Sequence, residues 1–437
     1  MDWMTAPSGL EVPVCADAGG RARPELARRA LVASALLGAL ALGCGKDEPA
    51  PRPAPTAAAS TGAGRGAASA ASSSGVVAAA PSTARAAVGT SAPSVTPDGA
   101  PIHTKEVLSK IYEVDRIYKS MRGPDSVQEL PLYESKAPEL LWIVGFEALM
   151  VAPDGATPIS QEWMCHSNLD FSAAKHLALF EDKKPLTDRL FTLSQGQQRI
   201  DFPEGYGLPI LSSESLSLNT QVLNLNMTVG KKDVRHKISV RFVRDAETRV
   251  PYKPLFAGGA FGLKLVEGAE GYFGVDHGDP ASQGPGCLPG VAAAPGDYED
   301  AHGRKFTGHW IVKPGREENH TLVTKLLNLP FDTTVHYIAI HLHPFAESLE
   351  LRDLTTGQSV YKATTRQTTG AIGLEHVDFY SSTEGLPLYK DHEYELVSIY
   401  DNTTDVDQDS MAVMNMYMLD KAYKRPGVGQ AAPVGKP

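Results

Sequence analysis

Val335-His336-Tyr337-Ile338-Ala339-Ile340-His341-Leu342-His343 is an apolar run that carries histidines. It reads as a buried strand. Alternate residues of a strand share a face, so His341 and His343 point the same way. A thioether from a neighbouring strand would complete a two-nitrogen, one-sulfur donor set, a mixture of borderline and soft ligands that selects copper over magnesium, calcium or manganese. Methionines follow at Met411, Met414, Met416 and Met418. His-x-His by itself also serves zinc enzymes, and many buried histidines only hydrogen-bond a main-chain carbonyl.

Around this strand stand His309-Trp310-Ile311-Val312-Lys313-Pro314-Gly315 and Leu329-Pro330-Phe331-Asp332-Thr333 upstream, and Tyr400-Asp401-Asn402-Thr403-Thr404 and Asp409-Ser410-Met411 downstream. This order resembles the C-terminal domain of the copper type II, ascorbate-dependent monooxygenases, the family of peptidylglycine alpha-hydroxylating monooxygenase and dopamine beta-monooxygenase. The resemblance implies copper ligands at His341, His343 and Met411, with Met414 and Met416 as alternatives within a small shift of register. Met414, Met416 and Met418 alternate on one face as core residues do; Met411 has the opposite parity. The resemblance also implies paired jelly-roll-like sandwiches, ascorbate or another reductant as electron donor, and a small organic or peptide substrate.

The first half departs from the family pattern. There a second copper is held by an adjacent His-His pair and a later histidine. Here Met164-Cys165-His166-Ser167 stands for the first motif and Gln221-Val222-Leu223-Asn224-Leu225-Asn226 for the second, so one histidine of three is kept. Pro203-Glu204-Gly205-Tyr206-Gly207, ahead of the second motif, does match. His166, with Cys165 as a thiolate beside it, is the set left for a second ion. In an oxidising compartment Cys165 and Cys287 could instead form a disulfide, which would close that option.

With 437 residues, net charge -10, 42% hydrophobic and 21% charged, the chain has length for two ordinary domains and a tail. The acidic balance argues against nucleic acid. Arg21, Arg23, Arg28 and Arg29 precede the apolar stretch Leu31 to Leu42, too short for a stable bilayer span, and Ala41-Leu42-Gly43-Cys44 resembles a bacterial lipobox. Residues 1–43 therefore read as a lipoprotein signal peptide, Cys44 as the lipidated residue and membrane anchor, and Gly45 as directing the protein to the outer membrane of a bacterial cell envelope. Residues 44–100, rich in Ala, Pro and Ser, cannot bury enough surface to fold and read as a disordered tether.

The expected fold class is all-β, with two consecutive antiparallel β-sandwich domains. The first, 101–265, opens with a helix over Thr104 to Met121, capped by Thr104 and striped by Val107, Leu108, Ile111, Val114, Ile117 and Tyr118. Strands follow at Leu140 to Val151, Gln161 to Phe171, Leu190 to Leu193, Leu216 to Met227, Val234 to Val243 and Phe261 to Leu265. A Gly/Pro-rich connection spans 266–304, the copper-binding second sandwich 305–424, and a disordered tail 425–437.

Other candidates reduce to structural roles. His309 and His376 read as satisfied structural histidines that could orient a ligand; His336 falls on the opposite strand face from His341. Asp405-Val406-Asp407-Gln408-Asp409 fails as a calcium loop, with Ser410 where Gly is needed and Met416 where Glu is needed. His277, with Asp276 and Asp279, and His302 read as solvated loop residues. No phosphate loop, Gly-x-Ser-x-Gly elbow or His-Glu-x-x-His helix occurs. Two functions stay open: oxygen activation at one copper, or copper buffering, sensing or delivery without turnover.

Overall fold

The computed structural model describes residues 95–267, 271–274, 298–300 and 302–428. The signal segment, Cys44, most of the tether, Cys287 and His277 lie outside them.

Leu140–Val151 is the strand the sequence reads, to the residue. Its near-continuous apolar run suits a strand covered on both faces. It pairs with Lys232–Arg244 on one side and Tyr206–Leu211 on the other. A second sheet, in the order Asp125–Pro131, Ser215–Val222, Met164–Asp170, Arg189–Leu193, closes the first sandwich. The second sandwich sets Lys253–Phe261, Ala412–Leu419, Thr333–Leu342 and Tyr380–Leu388 against a five-stranded sheet built on Gly315–Leu322, Tyr394–Asn402 and Ala346–Asp353. The all-β, two-sandwich reading holds.

The halves are joined more closely than two separate domains would be. Tyr206 and Gly207 pair in parallel with Lys253 and Pro254, which splices one sheet of each sandwich into a continuous ten-stranded sheet. Along Thr333–Leu342 and Ala412–Leu419 the side chains divide by parity. Ile338, Ile340, Leu342, Met414, Met416 and Met418 fill the second core, whereas Tyr337, Ala339 and Tyr417 belong to the first. The latter face is a joint between sandwiches. Gln197 clamps it by accepting from the Ile340 N–H at 2.9 Å, and Tyr417 donates to the Leu190 carbonyl at 2.9 Å.

The helix expected over Thr104 to Met121 is absent. His103–Leu108 and Tyr112–Val114 are strands, both paired with Lys232–Arg244. The helical stripe is not buried as a face: Leu108, Ile111 and Ile117 are exposed, while Val114 of the stripe and Tyr112 outside it are buried. Pairing along a thirteen-residue neighbour overrode local periodicity. Two element boundaries also move. Residues 95–100, placed in the tether, form a turn in which Thr96 and Ala100 are buried and Asp98 accepts from the Arg249 N–H at 2.9 Å. At the other end Arg425, placed in the tail, is ion-paired to Asp245. The 266–304 connection contributes strand at Tyr298–Glu299, which pairs with Lys305–Thr307.

Candidate metal site between the sandwiches

His341 and His343 lie at the end of Thr333–Leu342, on the face turned toward the first sandwich. Both are buried, their rings 5.3 Å apart centre to centre and perpendicular at 89°. His341 pairs with Val413 and Leu342 with Ala412, where the ladder ends, one residue short of His343 and Met411. Met414, Met416 and Met418 point the other way, each at most 1% exposed in the second core. Tyr400 links the main chains of His343 and Met411. Its hydroxyl accepts from the His343 N–H at 3.3 Å and donates to the Met411 carbonyl.

His309 joins them, contrary to its expected role as a satisfied structural residue. Trp310 pairs with Ser410, and His309 precedes that ladder. Its ring lies 5.7 Å from that of His343, and its Nε2 is buried without a hydrogen-bond partner. The Nδ1 of His341 is orphaned in the same way. A buried polar atom without a partner is costly and calls for a ligand or a structural reason. The sequence carried a trace of His309, the residue before a strand that borders the Met411 segment, but only the register shows that it meets His343. His336 and His376, by contrast, are satisfied. His336 bonds Thr334 at 2.8 Å and the Ser382 carbonyl at 2.9 Å, and His376 bonds Asp378 at 3.2 Å.

The first sandwich supplies the opposite wall. Cys165 and His166, expected to form a separate second site, stand against the first rather than apart from it. A register shift between Met164 and His166 leaves Cys165 as the bulged residue of its strand. Cys165 is a buried thiol. The Ser120 hydroxyl lies 3.8 Å from its sulfur and 3.3 Å from His343 Nε2, bridging the halves. Cys165 and His343 line one cavity of about 30 Å³ with Ser120, Met164 and Asp409. His166 faces a larger groove of about 520 Å³, lined also by Asn168, Asp170, Arg189, Asn219 and Gln221.

Electrostatics keep these groups neutral. Burial first, then the charges of His166, Arg189 and His309, push His341 down to about 3. Burial, with Arg189, His236 and His343 adding to it, does the same to His166. Burial and the neighbouring His341 and His309 hold His343 well below its usual value, while a hydrogen bond to the Asp409 main chain opposes them. Neutral imidazoles with free lone pairs are the form in which histidine binds metal. Burial pushes the Cys165 thiol up, against hydrogen bonds from the Met121 main chain and Ser120.

Among the described residues no three His, Cys, Asp or Glu side chains are already gathered as ligands of one ion. The His341, His343 and Met411 set contains only two residues of those types, so this leaves it open, but His309 is not gathered with them as a third ligand. The orphaned His341 nitrogen and the neutral rings suit a borderline metal such as copper better than a hard cation.

No family model and no curated protein matches the chain. Solved structures with some likeness are viral capsid proteins. The PBCV-1 protein VP54, fitted into a reconstruction of the virophage Sputnik, aligns over 77% of this chain and 98% of its own at 11% identity and a TM-score of 0.30. The major capsid protein P2 of bacteriophage PM2 aligns over 73% and 100% at 10% identity and a TM-score of 0.25. At such values the likeness bears no weight, and the all-β architecture rests on the sheets themselves.

Proposed function

We propose that the protein is a lipid-anchored copper protein of the bacterial cell envelope that holds one ion with His341, His343 and Met411, at a site resembling that of the copper type II, ascorbate-dependent monooxygenases. The observation that supports this is the pair of buried, neutral imidazoles, one with an orphaned nitrogen, with the Tyr400 hydroxyl tying the His343 main chain to that of Met411. Copper bound there would supply one-electron chemistry, the imidazoles suiting the oxidised ion and the thioether the reduced one. Tyr400 holds the His343 and Met411 main chains together, and the first sandwich excludes water from the rings.

Copper holding, for buffering, sensing or delivery, is the use supported best. The cavity at His343 admits a body or two the size of water and no organic substrate. Hydroxylation of a small organic or peptide substrate is the second reading, and it is favoured by the larger groove at His166, whose His166 and Arg189 act electrostatically on His341. An external donor such as ascorbate would then supply the electrons.

The test is copper stoichiometry with a spin-resonance spectrum on the full chain. One equivalent is expected, lost in the His341→Ala, His343→Ala double variant; a full equivalent in that variant would place the copper elsewhere. Ascorbate-driven oxygen uptake above that of the double variant would select the oxidative use.

A further inference from the structure

We propose that the groove at His166, on the outer face of the second sheet of the first sandwich, binds a neutral, hydroxyl-rich ligand of the saccharide class. The inference goes beyond the copper reading and needs no metal. Strand parity builds the site. His166, Asn168 and Asp170 alternate along Met164–Asp170, and Asn219 and Gln221 along Ser215–Val222, while Leu169, Leu218 and Val222 of the same strands lie in the first core. The ladders set Asp125 beside Gln221, Gln221 beside His166, and Asn219 beside Asn168. Polar side chains thus stand in two rows over three strands, about 4.8 Å apart across the sheet and about 6.8 Å along it, the span of a sugar ring with its hydroxyls. The groove they line, of about 520 Å³, has the size of a small-molecule site.

The bonds these groups already make define the ligand. Asn168 is 5% exposed and lines the groove, yet its Oδ1 has no partner. Gln221, as deeply buried, donates through Nε2 to the Gly123 carbonyl at 3.0 Å, which leaves Oε1 uncommitted. His166 is a neutral ring that donates through one nitrogen and accepts through the other. Most of the charge is satisfied within the protein: Arg189 pairs with Asp170 and donates to the Thr192 hydroxyl at 3.1 Å, and Asp188 accepts from the Ala173 N–H at 2.8 Å. A cation entering the groove meets Arg189, and an anion meets Asp125 and Asp188. A hydroxyl, donor and acceptor at once, complements amide and imidazole alike. Met121 and Phe171 supply the apolar part of the lining, suited to the C–H face of a sugar ring.

The experiment titrates glucose, galactose, mannose and N-acetylglucosamine, each as free sugar and as linear hexasaccharide, into the full chain in the presence of a metal chelator, and reads binding as heat. At least one sugar is expected to bind saturably. Asn168→Ala and Gln221→Ala should each weaken it by roughly 2–10-fold, the loss of one hydrogen bond, with circular dichroism unchanged. Deoxy forms of the bound sugar, which leave the protein untouched, should lose affinity by a similar factor. Either source of sugar upholds the site: tighter binding of the hexasaccharide identifies a glycan chain as the ligand, and equal binding identifies the free sugar. Absence of saturable binding across the panel overturns the proposal. Binding that both variants and every deoxy form leave unchanged overturns it too, since the sugar then sits elsewhere. Spermidine bound by the wild type and lost in Asp125→Asn, with no sugar bound, would make the groove a cation site instead. With the chelator present throughout, failure here leaves the copper reading untouched.

Discussion

At the residue scale, the proposed reading gives Met411 binding and Met414 packing although they are three positions apart. Met414 is fully buried in the second core, so Met414→Ala leaves a cavity and should cost about 2–5 kcal/mol in denaturant unfolding. Met411→Leu keeps the bulk and removes the sulfur; it should weaken copper(I) binding and leave the unfolding midpoint unchanged, and the reverse pattern would exchange the two roles. His236 offers a separate test of burial. It is fully buried with Nδ1 2.8 Å from Ser167 Oγ, and burial pushes it down to about 3 from 6.5. Above pH 6.5 it is neutral in both folded and unfolded chains and contributes no pH dependence. Below that, the unfolded chain takes up a proton that the folded chain refuses, so stability falls toward pH 3 by up to about 1.4 kcal/mol per pH unit. His236→Gln should flatten this slope in chemical denaturation between these limits, and an unchanged slope would mean that the imidazole is solvated.

At the scale of elements, parity was legible and partnership was not. The alternation of Met414, Met416 and Met418 against Met411 could be read from sequence because a strand has a period of two. That His309 comes to lie against His343 depends on a ladder between Trp310–Val312 and Gln408–Ser410, a pairing that no local pattern encodes. The misread helix failed for a related reason, since edge pairing decided residues whose own spacing pointed elsewhere. The loop that presents Ser120 is fixed by a glycine: a Cβ on Gly123 would stand 2.0 Å from the Val222 carbonyl oxygen, a main-chain atom with little freedom to yield. Gly123→Ala should therefore cost about 1–3 kcal/mol and lower the thermal midpoint. An unchanged midpoint would show that the loop accommodates the methyl without strain.

At the scale of the whole molecule, sequence separated two sandwiches but not their splice, since the two parallel rungs at Tyr206 and Gly207 leave no compositional mark. Because Tyr337, Ala339 and Tyr417 sit in the core of the first half, the halves should unfold together, in one calorimetric transition rather than two. On the proposed reading, copper bound at His341 and His343 would raise that transition by mass action, about 2.7 kcal/mol at a free concentration one hundred times the dissociation constant. The spliced sheet also bears on how such a protein can be inherited or dissected. Cutting between Arg244 and Lys253 leaves a raw strand edge on each piece and strips aromatic side chains from a core, so neither half is a portable module that recombination could graft onto another chain.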